Sequence, residues 1–412
     1  MRHSRRHFMR TGLGACALVS LAPGVPRFLA RAGASAGRAR RDDTILVVLQ
    51  LSGGNDGLNT IIPFADDAYA RSRPTLRWTG DQVLKLTDEL GLHPRLEAFR
   101  RLHDAGRLAV MQGVGCPRLS RDHDDAMRAW HVADPDPDSR ETGWAGRAAD
   151  ALSGLPSTGE SPALFVGSIP RPFSLNAARA VVPSVEAVES LRLPSGMSGE
   201  ASRLPAGPER RVNPLIEHVD RVSAIARNSD GLIREAASGG GTHGGYPDFP
   251  LARDFRTVAQ LIRAEVGVRI YFIELGGGGI GGFDNHANQA GNHDALLEQM
   301  ATGMAAFVQD LARDGLLDRV LLMTFSEFGR TVAENGRRGT DHGAAAPVFL
   351  AGGGVRGGLH GVHPSLTELD QGALKHHVDF RELYATTLET WLGLDAATIL
   401  GDAFPTLDLW AT

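Results

Sequence analysis

The amino-acid sequence predicts an α/β fold in which a central, largely parallel sheet is covered by helices on both faces. Its 412 residues are 42% hydrophobic and 22% charged, which provides enough apolar material for a large core. The apolar runs are short and mostly continuous, as in strands that are buried on both faces. These runs alternate with stretches of helical periodicity, and that alternation is typical of βαβ units.

Six apolar runs predict the strands of this sheet. A strand in a parallel sheet between two helical layers is buried on both faces, so its sequence does not alternate between apolar and polar residues. The predicted strands are residues 44–51, 108–114, 163–166, 268–275, 319–325 and 347–351.

Six stretches of helical periodicity lie between or after these runs. The first begins with Pro94, whose fixed φ suits the first helical position, and Gly106 follows its end. Ser120 is expected to cap the second helix. The predicted helices are residues 94–105, 120–132, 214–237, 251–265, 294–314 and 379–392.

Two stretches interrupt the alternation of strands and helices. Residues 154–212 are rich in Pro, Ser and Gly, and they predict an irregular insertion within a domain that spans residues 44–412. Residues 238–248 are rich in Gly and predict a loop.

The N-terminus has the features of a twin-arginine export signal. Residues 4–9 (SRRHFM) contain the paired arginines, residues 11–25 are mildly apolar, and Ala30 and Ala32 offer a small-residue cleavage site. The apolar stretch is too short for a permanent membrane anchor. We therefore expect a signal peptide at 1–32 that is recognised by the twin-arginine export machinery, a linker at 33–43, and a periplasmic or secreted mature protein.

The net charge of −5 is unevenly distributed. Residues 1–41 contain nine arginines and no acidic residue, so residues 42–412 have 34 basic and 48 acidic side chains, a net charge of −14. No basic run with interleaved aromatic residues remains, and a nucleic-acid partner is not expected. Without the signal, Cys116 is the only cysteine, which excludes an intrachain disulfide and a thiolate-rich metal site.

Polar residues follow four of the predicted strands. They lie at 52–59 (SGGNDGLN), at 115–125, at 283–286 (FDNH) after a run of glycines, and at 326–330 (SEFGR), with 339–343 (GTDHG) shortly afterwards. Ligands of open α/β sheets bind at the carboxyl ends of the strands. We therefore expect these segments to form one site at that edge of the sheet.

Two short motifs in these segments indicate a metal site. Asp284 and His286 are two residues apart, so an extended backbone places both side chains on one side. Asp341 and His342 are adjacent, and the flanking glycines permit the turn that they need to converge. Carboxylate and imidazole ligands without thiolate suit Zn²⁺, Mn²⁺, Mg²⁺ or Ca²⁺. The alternative is two polar loops with exposed histidines, or a histidine that caps a helix.

Other motifs indicate other functions less well. Residues 33–37 match the nucleophile elbow of hydrolases, but no strand precedes them. The glycines of 276–281 and 352–357 match the dinucleotide-binding pattern, but no helix follows either run directly, so we expect no nicotinamide or flavin cofactor. Arg330 is open to two interpretations, because it could clamp an oxyanion or simply pair with Glu327.

Four motifs closely resemble those of a twin-arginine-exported family known as domain of unknown function 1501. They are residues 51–60 (LSGGNDGLNT), 282–289 (GFDNHANQ), 324–331 (TFSEFGRT) and 338–347 (RGTDHGAAAP). The resemblance runs from about residue 44 to the C-terminus. That family is placed in the alkaline phosphatase and sulfatase superfamily, so the resemblance implies a three-layer sandwich around the sheet and often two metal ions.

The resemblance also implies metal ligands. Asp341 and His342 look like the superfamily's adjacent Asp-His pair, and Asp284 and His286 look like its other pair, although that spacing is usually wider. Asp56 lies where the acidic ligand of the first strand belongs, with Asn55 and Asn59 as competitors, and His363 competes with His360 for the late histidine. The implied ligands are therefore Asp56, Asp284, His286, Asp341, His342 and His360.

The nucleophile of the superfamily has no clear counterpart in this sequence. Its place is the start of the second predicted helix, where relatives often show Arg-Ser-His and this chain has Arg121, Asp122 and His123. A carboxylate in place of a hydroxyl implies a different chemistry or none, and the acids there could instead complement the helix dipole. The expected catalytic residues are Asp122, His123, Glu327 and Arg330.

Two functional hypotheses follow. The first is an exported metal-dependent hydrolase of phosphate or sulfate esters, with two divalent ions, a small-molecule or glycan ester as substrate, and Arg330 at the oxyanion. The second is a non-catalytic exported protein that uses the same fold to bind a glycan or a protein partner. Asp122 and the polar insertion favour the second hypothesis.

Overall fold

The computed structural model describes residues 43–136, 138–153, 155, 161–186, 245–277 and 282–411. These residues belong to one compact unit, Asp43–Thr412. The predicted signal peptide, nearly all of the linker, the helix predicted at 214–237 and much of the predicted insertion lie outside the described residues. Within the described ranges, no helix combines the length and the apolar character that a membrane crossing requires.

All six predicted strands are confirmed, and most of the additional strands are short. The strands of the described residues are β1 (Ile45–Leu51), β2 (Ile61–Ile62), β3 (Leu84–Lys85), β4 (Gly91–Leu92), β5 (Leu108–Gly115), β6 (Ala163–Val166), β7 (Ser184–Val185), β8 (Ile270–Leu275), β9 (Val320–Phe325), β10 (Arg330–Glu334), β11 (Thr340–His342), β12 (Ala346–Gly352), β13 (Gly358–His360), β14 (Leu369–Asp370), β15 (Ala373–Leu374) and β16 (Val378–Asp379).

A nine-stranded sheet forms the centre of the unit. Its order is β13-β5-β12-β9-β1-β8-β6-β7, and β16 pairs with β5. Only β12 runs antiparallel to its neighbours, so the predicted largely parallel sheet is confirmed. Gln50 of β1 lies in register with Glu274 of β8 and with Phe325 of β9, so these three strands end at the same level.

The helices of the described residues are α1 (Asp67–Ser72), α2 (Glu97–Asp104), α3 (His123–Val132), α4 (Trp144–Leu152), α5 (Pro250–Arg263), α6 (Gln289–Arg313), α7 (Phe380–Thr386) and α8 (Ala396–Leu400). A 3-10 turn at Pro94–Leu96 precedes α2, with Pro94 in the first turn as expected. A π-helical segment at Thr387–Leu392 continues α7, so the helix predicted at 379–392 is present in two forms.

Two helix starts differ from the prediction. The helix expected from residue 120 begins at His123, because the carboxylate of Asp122, not the hydroxyl of Ser120, accepts the first backbone N–H groups. The helix expected from residue 294 begins five residues earlier at Gln289, after Asn288 in the left-handed conformation.

Helices cover both faces of the sheet, which confirms the three-layer arrangement. Val47 and Leu49 of β1 point to a core that includes residues of α2, α5 and α6. Leu46 and Val48 point to a second core that includes residues of α3, α4, α7 and α8. Every residue of β1 is therefore buried, and this explains why its sequence is apolar except at Gln50.

Candidate metal centre

Three histidines and one aspartate converge at the carboxyl end of the central sheet. Asp284 Oδ1 lies 2.9 Å from His286 Nε2, 3.3 Å from His342 Nε2 and 3.3 Å from His123 Nε2. The Nε2 atoms of His286 and His342 lie 2.9 Å apart. His123, Asp284 and His342 can present their ligand atoms to one common ion. The structure thus brings together residues from three segments of the chain.

The other nitrogen of each imidazole is engaged by an acceptor. His123 Nδ1 lies 2.8 Å from Glu327 Oε1, and His286 Nδ1 lies 3.2 Å from Asp341 Oδ1. His342 Nδ1 lies 2.6 Å from the backbone carbonyl of Arg121. A carboxylate and a carbonyl only accept, so the tautomer with its proton on Nδ1 satisfies each of these three contacts. In the neutral imidazoles, the three Nε2 lone pairs then face the cluster.

Such an arrangement of lone pairs fits a cation. Ligand atoms held about 2.0–2.1 Å from Zn²⁺ in a tetrahedron lie about 3.3 Å apart, which matches the distance from Asp284 Oδ1 to His123 Nε2 and to His342 Nε2. His286 Nε2 lies beside this trio, 2.9 Å from Asp284 Oδ1 and from His342 Nε2. His123 Nε2 is shielded from solvent and has no hydrogen-bond partner among the described residues. Acceptors that fix the Nδ1 proton are the usual outer shell of histidine metal ligands. The donor set therefore fits a divalent ion.

The charges around the cluster keep Asp284 ionised. Burial would raise the pKa of Asp284, but the hydrogen bond and charge of Arg330, with smaller effects of His286 and His123, lower it to about 2. The hydrogen bond from His123 to Glu327 raises the pKa of His123, whereas burial lowers the pKa of His342.

Solvent reaches the cluster. The side chain of Asp284 is 45% exposed, and those of His123, His286 and His342 are 33%, 31% and 23% exposed. The ring of Phe328 closes the inner side, with its centroid 4.9 Å from that of His123 and 4.7 Å from that of His342. A site that is open on one side and apolar on the other can admit a small ligand.

Close backbone contacts position the loops of the cluster. Gly53 has a φ of +109°, and a Cβ atom there would lie 2.5 Å from the backbone nitrogen of Asp284. A Cβ atom at Gly339 would lie 2.3 Å from the carbonyl carbon of His286. Both positions require glycine because the loops approach one another more closely than a side chain allows. The glycines at the strand ends thus form part of the site.

The sequence model of the family described as "Protein of unknown function (DUF1501)" matches residues 43–403. The chain belongs to the DUF1501 family. The family that the four sequence motifs resemble is therefore confirmed. No curated protein matches the chain significantly in sequence.

Solved structures show only distant similarity to this DUF1501 protein. The lipoteichoic acid synthase LtaP from Listeria monocytogenes is 9% identical over 86% of this chain and 73% of that chain, with a TM-score of 0.40. The C-terminal periplasmic domain of EcEptC from Escherichia coli, in complex with Zn, is 10% identical over 77% and 73%, with a TM-score of 0.37. A protein in the alkaline phosphatase superfamily from Vibrio parahaemolyticus is 10% identical over 87% and 69%, with a TM-score of 0.38. Similarity this distant supports no statement about function.

Glu327 of the DUF1501 protein acts on the cluster through His123. Its side chain is 2% exposed, and Oε1 accepts hydrogen bonds from the backbone of Gly53 at 2.8 Å and from His123. Its Oε2 accepts from the hydroxyl of Ser326 at 3.1 Å. The geometry makes Glu327, expected as a catalytic residue, a group that orients a ligand.

Arg330 does not face solvent. Its guanidinium is fully buried, and it donates to the carbonyls of Gly53, Gly54, Phe283 and Thr340 and to the carboxylate of Asp284. Every nitrogen of the guanidinium is engaged, so the expectation that Arg330 clamps an oxyanion is corrected. It ties the loops together and holds Asp284 in place instead.

The structure also changes the expected roles of Asp341 and Asp122. Asp341 lies beside the cluster, but its Oδ1 accepts from His286 and, at 3.0 Å, from Asn335 Nδ2, so it orients a ligand. Asp122 is exposed, and its Oδ1 accepts from the backbone of Asp124 and Asp125. The carboxylate in the place of the nucleophile is thus a helix cap.

Asp56, His360 and His363 are not part of the cluster. Asp56 is buried and paired with Arg73 at 2.6 Å. His360 lies on the edge strand β13, where its Nε2 contacts the carbonyl of Arg356 at 2.6 Å. His363 contacts Gln112 at 3.0 Å. Because Asp56 and both histidines contact these other groups and lie outside the cluster, the expectation that Asp56 and a late histidine bind the metal is corrected.

Several residues that build the site were not predicted from the sequence. Phe328 lies within a quoted motif, but its residue type gave no chemical signal. Asn335 and the carbonyl of Arg121 act through hydrogen bonds to residues that are distant in sequence or folded close by a turn. Only the fold reveals such contacts, because they depend on backbone geometry rather than on residue type.

Proposed function

We propose that this DUF1501 protein is an exported, metal-dependent hydrolase of phosphate or sulfate esters. The observation that carries the proposal is the convergence of Asp284 Oδ1 with the Nε2 atoms of His123, His286 and His342. Their position at the carboxyl end of a parallel sheet and their partial exposure favour a ligand-binding role over a purely structural one. Phosphate or sulfate esters are the substrates that the superfamily resemblance implies.

Each residue of the site has a distinct role in this proposal. Asp284, His123 and His342 would hold a divalent ion, with His286 beside them, and the ion would supply a Lewis acid that polarises an ester oxygen. Glu327, Asp341 and the Arg121 carbonyl keep the proton on Nδ1, so that Nε2 stays available. Arg330 keeps Asp284 ionised and oriented.

Metal analysis and ester turnover test the proposal together. We expect a divalent ion to copurify with the exported protein and a panel of phosphate and sulfate esters to contain at least one substrate. His342→Ala should lose the ion and the turnover, whereas His360→Ala, on the edge strand, should keep both. Absence of any ion in the wild type, or equal turnover by both variants, would refute the proposal.

The alternative is a protein that binds a glycan or protein partner without turnover. The observation that favours it is Asp122, which caps a helix and leaves no hydroxyl in the expected place of the nucleophile. A protein that holds its ion but hydrolyses no ester of the panel would support this alternative.

Export by the twin-arginine pathway is the remaining part of the proposal, and it rests on the sequence of residues 1–32. We expect the double substitution Arg5→Lys and Arg6→Lys to leave the full-length precursor in the cytoplasm of an expressing bacterium. Fractionation followed by mass determination of the N-terminus would check this. A correctly cleaved variant in the periplasm would contradict it.

A further inference from the structure

The acidic residue after the first strand is neutralised by a buried guanidinium. Arg73 Nη1 donates to Asp56 Oδ2 at 2.6 Å, and Nη2 donates to Oδ1 at 2.9 Å. Gln289 Nε2 donates to Asp56 Oδ2 at 2.5 Å. The side chains of Asp56 and Arg73 are 2% and 0% exposed. Both carboxylate oxygens are thus satisfied by protein donors.

Arg73 is itself fixed in this position. Its Nε donates to the carbonyl of Val332 at 3.0 Å, and Nη2 donates to that of Thr331 at 3.0 Å. Its Nη1 also donates to Asn59 Oδ1 at 2.8 Å. An ion that bound Asp56 would have to displace the guanidinium of Arg73. That group stays protonated and is buried away from water, so it would be left as an unpaired buried charge. The Asp56 position is therefore closed to a metal.

Among the described residues, the cluster is the one place where three histidine or acidic side chains can present ligand atoms to a common ion. Each of its imidazoles has its Nδ1 engaged, so each offers one nitrogen. Among the described residues next to the ligands, Glu327 accepts three hydrogen bonds, and Asp341 Oδ1 accepts two. The Oδ1 atom of Asp284 accepts a hydrogen bond from Arg330 and also lies next to the histidines.

We infer that this DUF1501 protein holds a single ion of the Zn²⁺ type, and that buried arginines supply the positive charge of the second ion which its superfamily implies. Arg73 provides this charge at Asp56, whereas Arg330 adds positive charge beside the single ion through its contact with Asp284. The imidazole nitrogens of His123 and His342 with one carboxylate oxygen of Asp284, and a third imidazole beside them, favour Zn²⁺ over Mg²⁺ and Ca²⁺, which prefer oxygen ligands. The inference rests on the proposed function in so far as it requires the metal centre.

The test is the metal stoichiometry of the full-length chain expressed and exported in a bacterium. We expect about one equivalent of ion in the wild type by elemental analysis, and titration of chelated protein should give one Zn²⁺ site that a large excess of Mg²⁺ does not occupy. Asp284→Asn should bind at least tenfold more weakly, in line with the loss of a ligand. Asp56→Asn and the control His360→Ala should keep one equivalent.

The outcomes separate this inference from the proposed function. Two equivalents in the wild type, or loss of an ion in Asp56→Asn, would overturn the single-ion inference while the hydrolase proposal stands. No ion in the wild type would overturn both. If Asp56→Asn fails to fold because Arg73 is left unpaired, the double variant Asp56→Asn with Arg73→Met removes both charges, and its stoichiometry decides the point.

Discussion

The three histidines of the cluster are held by acceptors of different strength. His123 donates to a buried carboxylate, His286 to an exposed one, and His342 to a backbone carbonyl. A buried carboxylate is a stronger acceptor than an exposed one, because solvent does not screen its charge. The hydrogen bond between His123 and Glu327 is therefore stronger than the one between His286 and Asp341.

This ranking predicts the effect of removing Glu327. Glu327→Ala deletes the acceptor that fixes Nδ1 of His123, so we expect Zn²⁺ affinity to fall about 10- to 100-fold. Competition with a chromophoric chelator measures the affinity, and the spectrum of the Co²⁺-loaded protein reports the ligand geometry. The exposed Glu368→Ala is the matched control. An affinity equal to that of the wild type would contradict a positioning role for Glu327.

A second prediction at this scale concerns His131, which is buried in α3 and contacts Gln50 at 2.7 Å. Burial lowers the pKa of His131 to about 3. The unfolded chain therefore takes up the proton first as the pH falls, and this histidine lowers the free energy of unfolding below about pH 6.5, by up to about 1.4 kcal/mol per pH unit.

Urea unfolding at pH 7 and pH 5.5 checks this, in the presence of chelator so that release of metal does not contribute. The uncharged variant His131→Gln should lose less stability between these two pH values than the wild type. An equal loss in both proteins would show that His131 is not the buried neutral group that its surroundings indicate.

At the scale of elements, the longest strands of the central sheet were predictable and two helix starts were not. The strands are buried on both faces, so their apolar runs mark them directly. The first turn of α6 carries the polar residues Gln289, Asn292 and His293, which bind Asp56, Gly282 and Asn55 of neighbouring loops. The apolar periodicity of the sequence did not predict this turn, because the turn packs against the loops around the site instead of the apolar core.

The start of α3 gives a prediction for Asp122. As a helix cap, it is replaceable by another capping residue, whereas a catalytic carboxylate is not. We expect Asp122→Ala to lower the free energy of unfolding by about 1 kcal/mol and Asp122→Ser to lower it by only a few tenths, with Zn²⁺ bound in both. Urea unfolding and elemental analysis measure these quantities. Loss of ester turnover in the Ser variant, with metal and stability intact, would restore Asp122 as a catalytic residue.

At the scale of the whole molecule, the sequence located the site but not the roles within it. All of the predicted strand-end clusters reach the same edge of the sheet, as the topology of a parallel sheet requires. Whether a residue binds the ion or supports a ligand depends on partners far along the chain, such as Glu327 for His123, 204 residues apart. Residue type and spacing carry no information about such pairs, so Glu327, Asp341 and Arg330 could not be assigned in advance.

The same long-range pairing links the ion to the stability of the unit. The ligands lie at the start of α3, in the loop after β8 and at the end of β11, so an ion joins parts of the chain that separate on unfolding. Binding to the native state alone stabilises it by about 2.7 kcal/mol when the free ion is at 100 times its Kd. We expect a chelator to lower the Tm and added Zn²⁺ to restore it. His342→Ala, measured by the same thermal scan, should have a lower Tm without chelator and should show little change when chelator is added. A chelator-induced drop of equal size in the variant would place the stabilising ion elsewhere in the protein.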